Sequence, residues 1–347
     1  MTAAYPSGTN TFVLSHDATK GMVVDFSRNP KDFAINSYLQ IVPVDKVAGY
    51  YMKMTVEQAG RVQNTNLSDM EWADGNKAPE FHDGTEGFEF LAYATKRYAL
   101  GFNLGDLSVD QASWDIVAQH GRITAQRAMT ARTVLSVTAL ETSGNWDATH
   151  TSAVSSISGV TGKWDVSTTA RTDIHRSLDY AADIILQDTL GAVDINDLIL
   201  VISPACARAM AVTQEIVDHI KGSPDAKDQV RGEMGRNSMF GLPDKLYGYP
   251  VVVEKTVKTT NTKGATRAVS YAKGKTNPVM IARPGGLTGV ANAPSFSTVT
   301  CFMKEEMTVE TKREDDNRRT IGRIVENYAV VVTAPVSGFL FTSAVAT

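Results

Sequence analysis

The longest stretch compatible with one continuous helix runs from Ser108 to Thr142, and it limits the shapes that this chain can adopt. It contains no proline and one interior glycine, Gly121. Ser108 and Gln111 have the spacing of a capping box, which predicts that the helix begins there. A helix over the whole stretch would be roughly 50 Å long, which is more than the width of a small domain. We therefore expect it to run along an extended subunit.

One face of this helix is predicted to be apolar and to consist mainly of small residues. The positions that follow a 3.6-residue period are Trp114, Val117, Gly121, Ala125, Ala128, Leu135 and Ala139. We expect the small residues to allow close packing, with Val117 and Leu135 as anchors. The three arginines Arg122, Arg127 and Arg132 fall outside this face. They are predicted to point to solvent, to a partner subunit or to a polyanion.

The region before the helix has the pattern of a long β-hairpin. Residues 45–105 contain two β-patterned arms that flank a polar, turn-rich segment at 63–87. Such a hairpin is too long for a turn between packed strands, so we expect it to project from the body and to find its partner elsewhere. The residues of its tip that are candidates for contacts between subunits are Trp72, Asp74, Lys77, Glu80, His82, Asp83 and Glu86.

The rest of the chain predicts an α+β fold. A second amphipathic helix is expected over about 169–189, followed by a buried strand in NDLILVIS and a helix that begins at Ser203-Pro204. Residues 312–319, KREDDNRR, are predicted to connect two strands of a charged hairpin. The uncharged last twenty residues are predicted to form strand, turn and strand around Pro335 and Gly338 rather than a membrane anchor.

The composition and motifs favour no enzymatic function. The net charge is −4, so the chain as a whole does not favour binding to nucleic acid. Cys206 and Cys301 lie in apolar surroundings and are expected to be buried and reduced. The six histidines are dispersed, and we predict no catalytic residue, no cofactor site and no metal site.

The order of these elements resembles that of the major capsid proteins of tailed bacteriophages, which have the Hong Kong-type shell fold. Three segments are similar to motifs of that family: LVISP at 200–204 entering a helix, LYGYPVVVEKT at 246–256, and VENYAVVVTAPVSGFLFTSA at 325–344. The resemblance covers the chain from about residue 20. It implies an N-terminal arm (1–44), an extended hairpin called the E-loop (45–105), a peripheral domain (106–190 with spine helix 108–142, and 305–347) and an axial domain (191–304).

The resemblance also implies a function, partners and a location. The chain would assemble through hexamers and pentamers into an icosahedral shell in the virion, built in the host cytoplasm. The shell would enclose double-stranded DNA by weak, non-specific contact. A portal and a separate scaffolding protein are expected partners, and no membrane is. Further candidates for subunit contacts or the inner surface lie in the C-terminal hairpin: Lys312, Arg313, Arg318 and Arg319.

Three alternatives remain open at this point. An encapsulin, a bacterial compartment shell of the same fold, is one of them, although residues 1–30 are irregular where that family begins with a helix. A soluble α+β enzyme or sugar-binding protein would use Trp72, Asp74, His82 and Asp83. Some family members also join subunits through lysine–asparagine bonds, for which Lys77 with Asn317 or Asn327 are the candidates.

Overall fold

The computed structural model describes residues 29–54, 71–77, 88–112, 114–165, 172–221, 239–260, 266, 268–282 and 297–346. Within these residues the helices are α1 (Asp106–Asp110), α2 (Ile116–Glu141), α3 (Asp173–Asp188), α4 (Pro204–Ala211) and α5 (Gln214–Lys221). The strands of the first half are β1 (Gln40–Pro43), β2 (Ala48–Met54), β3 (Phe88–Ala94), β4 (Lys96–Gly105), β5 (Thr151–Ala153), β6 (Leu198–Ile202) and β7 (Lys245–Leu246). Those of the second half are β8 (Tyr249–Val253), β9 (Val257–Thr260), β10 (Ala268–Tyr271), β11 (Val279–Ala282), β12 (Val299–Glu314), β13 (Arg319–Val332) and β14 (Gly338–Thr342).

The long helix begins later than the sequence predicts. α2 starts at Ile116, where the Asp115 carboxylate accepts a hydrogen bond from the backbone N–H of Ala118 at 2.9 Å. Ser108 lies in the separate short helix α1, so the predicted capping box does not start the long helix. The 26 residues of α2 give a helix about 39 Å long. The chain therefore contains one long helix, as expected, but this helix is about two turns shorter than the predicted one.

A six-stranded sheet in the order β5-β14-β11-β6-β8-β7 separates two hydrophobic cores. Because side chains alternate between the faces of a strand, successive residues of β6, β11 and β14 enter different cores. The first core receives Leu198, Leu200, Ile202, Met280, Phe339 and Phe341, and it also contains the apolar face of α3. The second receives Ile199, Val201, Val279, Ile281 and Leu340. Since both faces of the central strands are buried, their sequences are apolar throughout.

The second core is closed by α2 and by a four-stranded sheet in the order β1-β12-β13-β4. Residues of the N-terminal segment complete it, since Phe33, Ile35 and Tyr38 are buried there. β1 pairs in parallel with the start of β12. Residues 29–43 of the predicted arm therefore lie on the body of their own chain, whereas residues 1–28 are outside the described part.

The pairing of strands differs from the predicted domain boundaries. Strands β5 and β14 and helix α3 pack with the sheet of residues 191–304, although the prediction grouped them with the long helix. Conversely, Val299–Met303 of β12 pair with β13 and enter the second core. Sequence order does not reveal this exchange, because β5 pairs with β14, which follows it by more than a hundred residues.

Several local predictions are confirmed. α3 buries Ile174, Leu178, Ala181, Ala182 and Ile185. The side chain of Ser203 caps α4 by accepting the N–H of Cys206 at 3.1 Å. β12 and β13 form the predicted charged hairpin, and β13, a turn at Pro335–Ser337 and β14 form the predicted strand, turn and strand. Both cysteines are buried and free. None of the described helices is long and apolar enough to cross a bilayer.

Candidate assembly surfaces

The base of the predicted long hairpin is an antiparallel pair of strands with two different faces. β2 and β3 pair from Ala48 with Ala94 to Met54 with Phe88. On the inner face, the rings of Tyr51 and Tyr93 stack on Phe302 of β12, with centroids 5.6 and 4.3 Å away. These stacks fix the hairpin base to the body. The segment is therefore held at its root as a two-stranded ribbon rather than as part of a larger sheet.

The outer face of the same ribbon is apolar and exposed. Tyr50 is 73% and Phe90 62% exposed, and the alanines Ala48, Ala92 and Ala94 on that face are exposed as well. Exposed aromatic residues on one contiguous face are typical of a surface that binds another protein. An isolated two-stranded hairpin is also marginally stable in water. We conclude that the outer face of β2–β3 is the most conspicuous unpartnered apolar surface of the described residues.

The described part of the hairpin tip is a solvent-exposed turn. Trp72 is exposed and donates its indole N–H to the carbonyl oxygen of Asn76 at 2.6 Å, and Gly75 has the positive φ of 84° that such a turn requires. Asp74 and Lys77 are exposed too. The other candidates of the tip lie outside the described residues: Glu80, His82, Asp83 and Glu86.

The arginines of α2 have two different environments. Arg122 and Arg127 are exposed and have no acidic partner among the described residues. Arg132 is only 6% exposed and forms an ion pair with Glu326 of β13 within its own chain. Its guanidinium also lies 5.2 Å from the ring centroid of Tyr328. The expectation that Arg132 points to solvent or a partner is wrong, because α2 packs this side against β13.

The apolar face predicted for α2 is correct only in part, since Val117 and Ala139 are half-buried and pack against apolar clusters. Leu135 is exposed, and an added Cβ at Gly121 would meet no atom within 4 Å, so neither residue anchors or closely packs this helix. The buried positions are Ile116, Thr124, Ala128, Met129, Arg132, Thr133, Ser136, Val137 and Leu140. Of the predicted face, only Ala128 is among them.

The basic residues of the C-terminal hairpin are largely neutralised by acids of the same chain. Arg313 is 2.9 Å from the Asp106 carboxylate and 2.8 Å from that of Asp315. Arg319 pairs with Glu314, and hydrogen bonds from Arg319 and Asn317 lower the pKa of the Glu314 carboxyl. Lys312 and Arg318 are exposed without an ion pair to any described residue. This surface therefore combines both signs of charge, which does not favour tight binding of a polyanion.

The two asparagines considered for covalent bonding to Lys77 differ in accessibility. Asn317 is exposed in the turn of the C-terminal hairpin, and Lys77 is also exposed. Asn327 is 3% exposed, and its Oδ1 atom has no hydrogen-bond partner among the described residues. A lysine of another subunit could reach Asn317 directly, whereas Asn327 would first require local opening of the sheet.

A buried polar junction, which the sequence did not reveal, joins the two cores. Lys273 is fully buried, and its ammonium is 2.9 Å from Glu141, the last residue of α2. Glu254 accepts hydrogen bonds from the Tyr38 hydroxyl at 3.0 Å and from the Thr256 hydroxyl at 2.6 Å. Burial lowers the pKa of Lys273 and, together with Glu254, raises that of Tyr38. No spacing in the sequence relates Tyr38, Glu141, Glu254 and Lys273, because they are far apart along the chain.

The described residues hold little that suggests an active site. Their His, Cys, Asp and Glu side chains form no cluster that could bind a metal ion. A shallow cavity of about 290 Å³ lies beside β8 and is lined by Asp32, Ala34, Leu242, Pro243, Asp244, Val251, Val252, Val253 and Lys255. Its lining contains no histidine, cysteine, serine or threonine, and it does not include the described part of the hairpin tip.

The solved structures to which this fold is similar include phage capsid proteins and a phage-related protein. A phage-related protein from Bordetella bronchiseptica RB50 is 12% identical, with a TM-score of 0.58 over 90% of this chain and 91% of its own. The capsid protein of cyanophage P-SCSP1u is 11% identical, with a TM-score of 0.54 over 94% and 92% of the two chains. That of the mature capsid of bacteriophage PhiM1 is 12% identical, with a TM-score of 0.52 over 98% and 92%.

No family model and no curated protein matches the sequence. At these identities the likeness shows the fold, which is the mixed α+β fold of phage major capsid proteins. The fold expected from the resemblance of the sequence is thereby confirmed.

Proposed function

We propose that this chain, which has the phage capsid fold, is a structural major capsid protein. Its subunits assemble through hexamers and pentamers into an icosahedral shell that encloses double-stranded DNA. The proposed location is the virion, with assembly in the host cytoplasm together with a portal and a separate scaffolding protein. The work of such a protein is assembly, and it involves neither catalysis nor a cofactor.

The observation that carries this proposal is the exposed apolar face of β2–β3. Tyr50 and Phe90 lie on the face of the ribbon that turns away from its own body. Covering a large apolar side chain contributes about 1.5–3 kcal/mol. A shell repeats each contact many times, so a modest contribution per subunit is enough to close it. The proposed occupant of this face is the peripheral region of a neighbouring subunit.

The electrostatics of the subunit agree with a container for DNA. Arg122 and Arg127 on the free side of α2, with Lys312 and Arg318 of the C-terminal hairpin, are the proposed contacts to the inner surface or to a neighbour. Most other arginines of the hairpin are already paired with carboxylates. Few released counterions mean weak binding with a shallow dependence on salt. Weak binding allows a shell to be filled and emptied.

The test is electron microscopy of the purified full chain and of the double variant Tyr50→Ser/Phe90→Ser. We expect the unchanged chain to form hexameric rings or closed shells, and the variant to remain dispersed at the same concentration. Leu107→Ser is the matched control, because Leu107 is 75% exposed but lies on α1. Circular dichroism should show the same folded content in all three proteins.

Two outcomes would contradict the proposal. An unchanged chain that stays monomeric in every salt and protein concentration tested would contradict assembly of the subunit by itself. If shells form equally well with the double variant, assembly does not depend on the outer face of β2–β3.

A further inference from the structure

The distal part of β12 presents an exposed strand edge. β12 lies between β1 and β13 in its sheet, but β1 pairs with it only at Thr300–Met303. None of the other described strands pairs with β12 on the side of β1. Residues Lys304–Glu314, here called the β12 edge, are therefore open to pairing with another strand. The side chains of Thr308–Arg313 are exposed, and Val309 among them is 56% exposed.

The charges along the β12 edge form a mirrored order. Its sequence is KEEMTVETKRE, with Val309 at the centre. At equal distances from Val309, each cation corresponds to a carboxylate, and no two like charges correspond. The corresponding residues are Lys304 with Glu314, Glu305 with Arg313, and Glu306 with Lys312. A strand with this order is complementary in charge to a second copy of itself that runs in the opposite direction.

Three of these charged side chains form no ion pair with any described residue. They are Lys304, Glu306 and Lys312, and all three are exposed. The other charged residues of the edge already pair within the chain: Glu305 with Arg97, Glu310 with Arg323, Arg313 with Asp106 and Asp315, and Glu314 with Arg319. Glu306 and Lys312 thus correspond to each other in the mirrored order and lack a described partner. Charges on an exposed edge exclude most foreign strands, but they admit a strand whose charges match.

We propose that two copies of this chain pair antiparallel through the β12 edge, about a two-fold axis at Val309. Around such an axis each residue opposes its mirrored counterpart in the other copy. Glu306 and Lys312 then meet twice, and the exposed Val309 side chain covers its own copy. Opposite charges on facing strands stabilise a pair of strands, and like charges destabilise it. The pairing makes one continuous sheet from the four-stranded sheets of two subunits.

The charges also select the register of this pairing. Facing residues of an antiparallel pair share a face of the sheet, so a two-fold axis normal to the sheet passes through a residue. Moving the axis from Val309 to Thr308 would set Lys304 against Lys312. Moving it to Glu310 would set that glutamate against its own copy. Both neighbouring registers oppose like charges, and the register about Val309 opposes none.

Backbone pairing across the axis is expected to be short. The register between β12 and β13 shifts between Met303 and Glu305 and again between Glu305 and Thr308, and it is regular from Thr308 onward. Only Thr308–Glu310 oppose regular backbone in both copies, so the ladder of hydrogen bonds is centred there. The flanking residues meet through their long side chains. This inference does not depend on the proposed shell function, because two copies can pair whether or not a shell forms.

The first test places one cysteine on the axis. In the full chain, Val309→Cys sets two thiols opposite each other, because facing Cα atoms of an antiparallel pair are about 4.5–5.5 Å apart. That distance lies within the range that a disulfide spans. After mild oxidation, a non-reducing denaturing gel should show most of the chain as a covalent dimer. Cys206 and Cys301 are buried and do not take part.

Thr311→Cys is the matched control, since Thr311 is exposed and lies two residues further along the same strand. Its counterpart across the axis is Met307, so the two thiols would be about 13 Å apart along the strands and no dimer should form. A dimer in both variants would show random collision, and a dimer in Thr311→Cys alone would place the axis elsewhere. Either result, or no dimer in either variant, would overturn the proposal.

The second test exchanges charges in the chain that carries Val309→Cys. Lys312→Glu sets carboxylates against Glu306, and Glu306→Lys sets ammonium groups against Lys312. Each change should slow disulfide formation by about tenfold at low salt. The two changes together restore opposite charges and should restore the rate. Since the single changes alter the charge near the thiol in opposite directions, a local effect on its reactivity cannot slow both.

Lys258→Glu is the control for net charge, because Lys258 is exposed on β9, and this change should leave the rate as it is. If the combined variant remains as slow as the single variants, Glu306 and Lys312 do not face each other, and the pairing about Val309 is wrong.

Discussion

Helices α2 and α3 each bury one face, but the two faces differ in chemistry. α3 buries a mainly aliphatic stripe that includes Ile174, Leu178 and Ile185, with the polar residues Asp173 and Ser177 in its first half. α2 buries Thr124, Arg132, Thr133 and Ser136 alongside its apolar residues. The same periodicity argument locates the buried face of α3 correctly and that of α2 only in part. Hydrophobic periodicity thus identifies a buried face only where burial is achieved by apolar side chains.

The polar face of α2 can be buried because its hydrogen bonds are made locally. The hydroxyls of Thr124, Thr133 and Ser136 donate to the carbonyl oxygens four residues earlier, at 2.7, 2.8 and 2.9 Å. A hydroxyl bonded in this way leaves only its methyl or methylene surface to the core. Arg132 is the one charged member of the face, and it depends on Glu326. We therefore predict that the position of α2 depends on a few specific partners such as Glu326, and that the position of α3 depends on contacts between many apolar side chains.

The largest effect is expected for Glu326→Ala, which removes the partner of Arg132. An uncompensated guanidinium would remain buried, and loss of one member of a buried ion pair costs about 3–5 kcal/mol. Chemical denaturation of the full chain measures this loss. The double variant Arg132→Met/Glu326→Leu is the control and should return to within about 1 kcal/mol of the unchanged chain, because both charges are gone. Equal destabilisation by the single and the double variant would show that packing, not charge, fixes α2.

A smaller effect is expected for Glu215→Ala, which tests the start of α3. The Glu215 carboxylate, on α5, accepts the backbone N–H groups of Ile174 and His175 at 2.9 and 3.0 Å. Thr172 at the N-cap position makes no side-chain cap. Loss of such a cap costs about 0.5–2 kcal/mol. The midpoint of denaturation should fall accordingly.

Glu215→Gln should lose less, because an amide oxygen can still accept one of the two N–H groups. The Glu215 carboxylate also accepts from the Tyr247 hydroxyl at 2.8 Å, and burial together with this bond raises the pKa of Tyr247. A fall in that pKa in Glu215→Ala, followed by ultraviolet absorbance, would confirm that the bond is lost. Unchanged stability of Glu215→Ala would show that α3 needs no cap from α5.

Gly121→Ala in α2 is expected to have the smallest effect, and it is the only one of these variants expected to increase the stability of the fold. An added Cβ meets nothing within 4 Å, so the substitution should stabilise the helix by about 0.5–1 kcal/mol. Denaturant unfolding curves of the variant and of the unchanged chain, recorded under the same conditions, measure this difference in stability. Gly322→Ala in β13 is the opposite control, since its Cβ would lie 2.0 Å from the Phe102 ring. A loss of stability at Gly121 would mean that this face of α2 is packed after all.

Particular residues show how much of the surface could be expected from sequence. The hairpin of residues 48–94 was predicted from alternation and from its long polar tip, and its register is as expected for an antiparallel ribbon. Tyr51 and Tyr93 face inward because they stack on Phe302, which is more than two hundred residues away in the sequence, and Tyr50 faces outward. Likewise, Arg122 and Arg132 are equivalent in sequence, and only the position of Glu326 separates an exposed side chain from a buried one.

The sequence by itself determined the elements whose causes are local. These are the apolar stripe of α3, the Ser203-Pro204 helix start, the charged turn between β12 and β13, and the α+β order of segments that resembles phage capsid proteins. Their physical basis lies in backbone preferences and in side chains a few residues apart. The tertiary structure alone decided which distant groups meet: Arg132 with Glu326, Lys273 with Glu141, His150 with Asp188 and Gly338. Each pairing satisfies a buried charge or polar group, and the chain encodes such a partner only through the fold that brings it there.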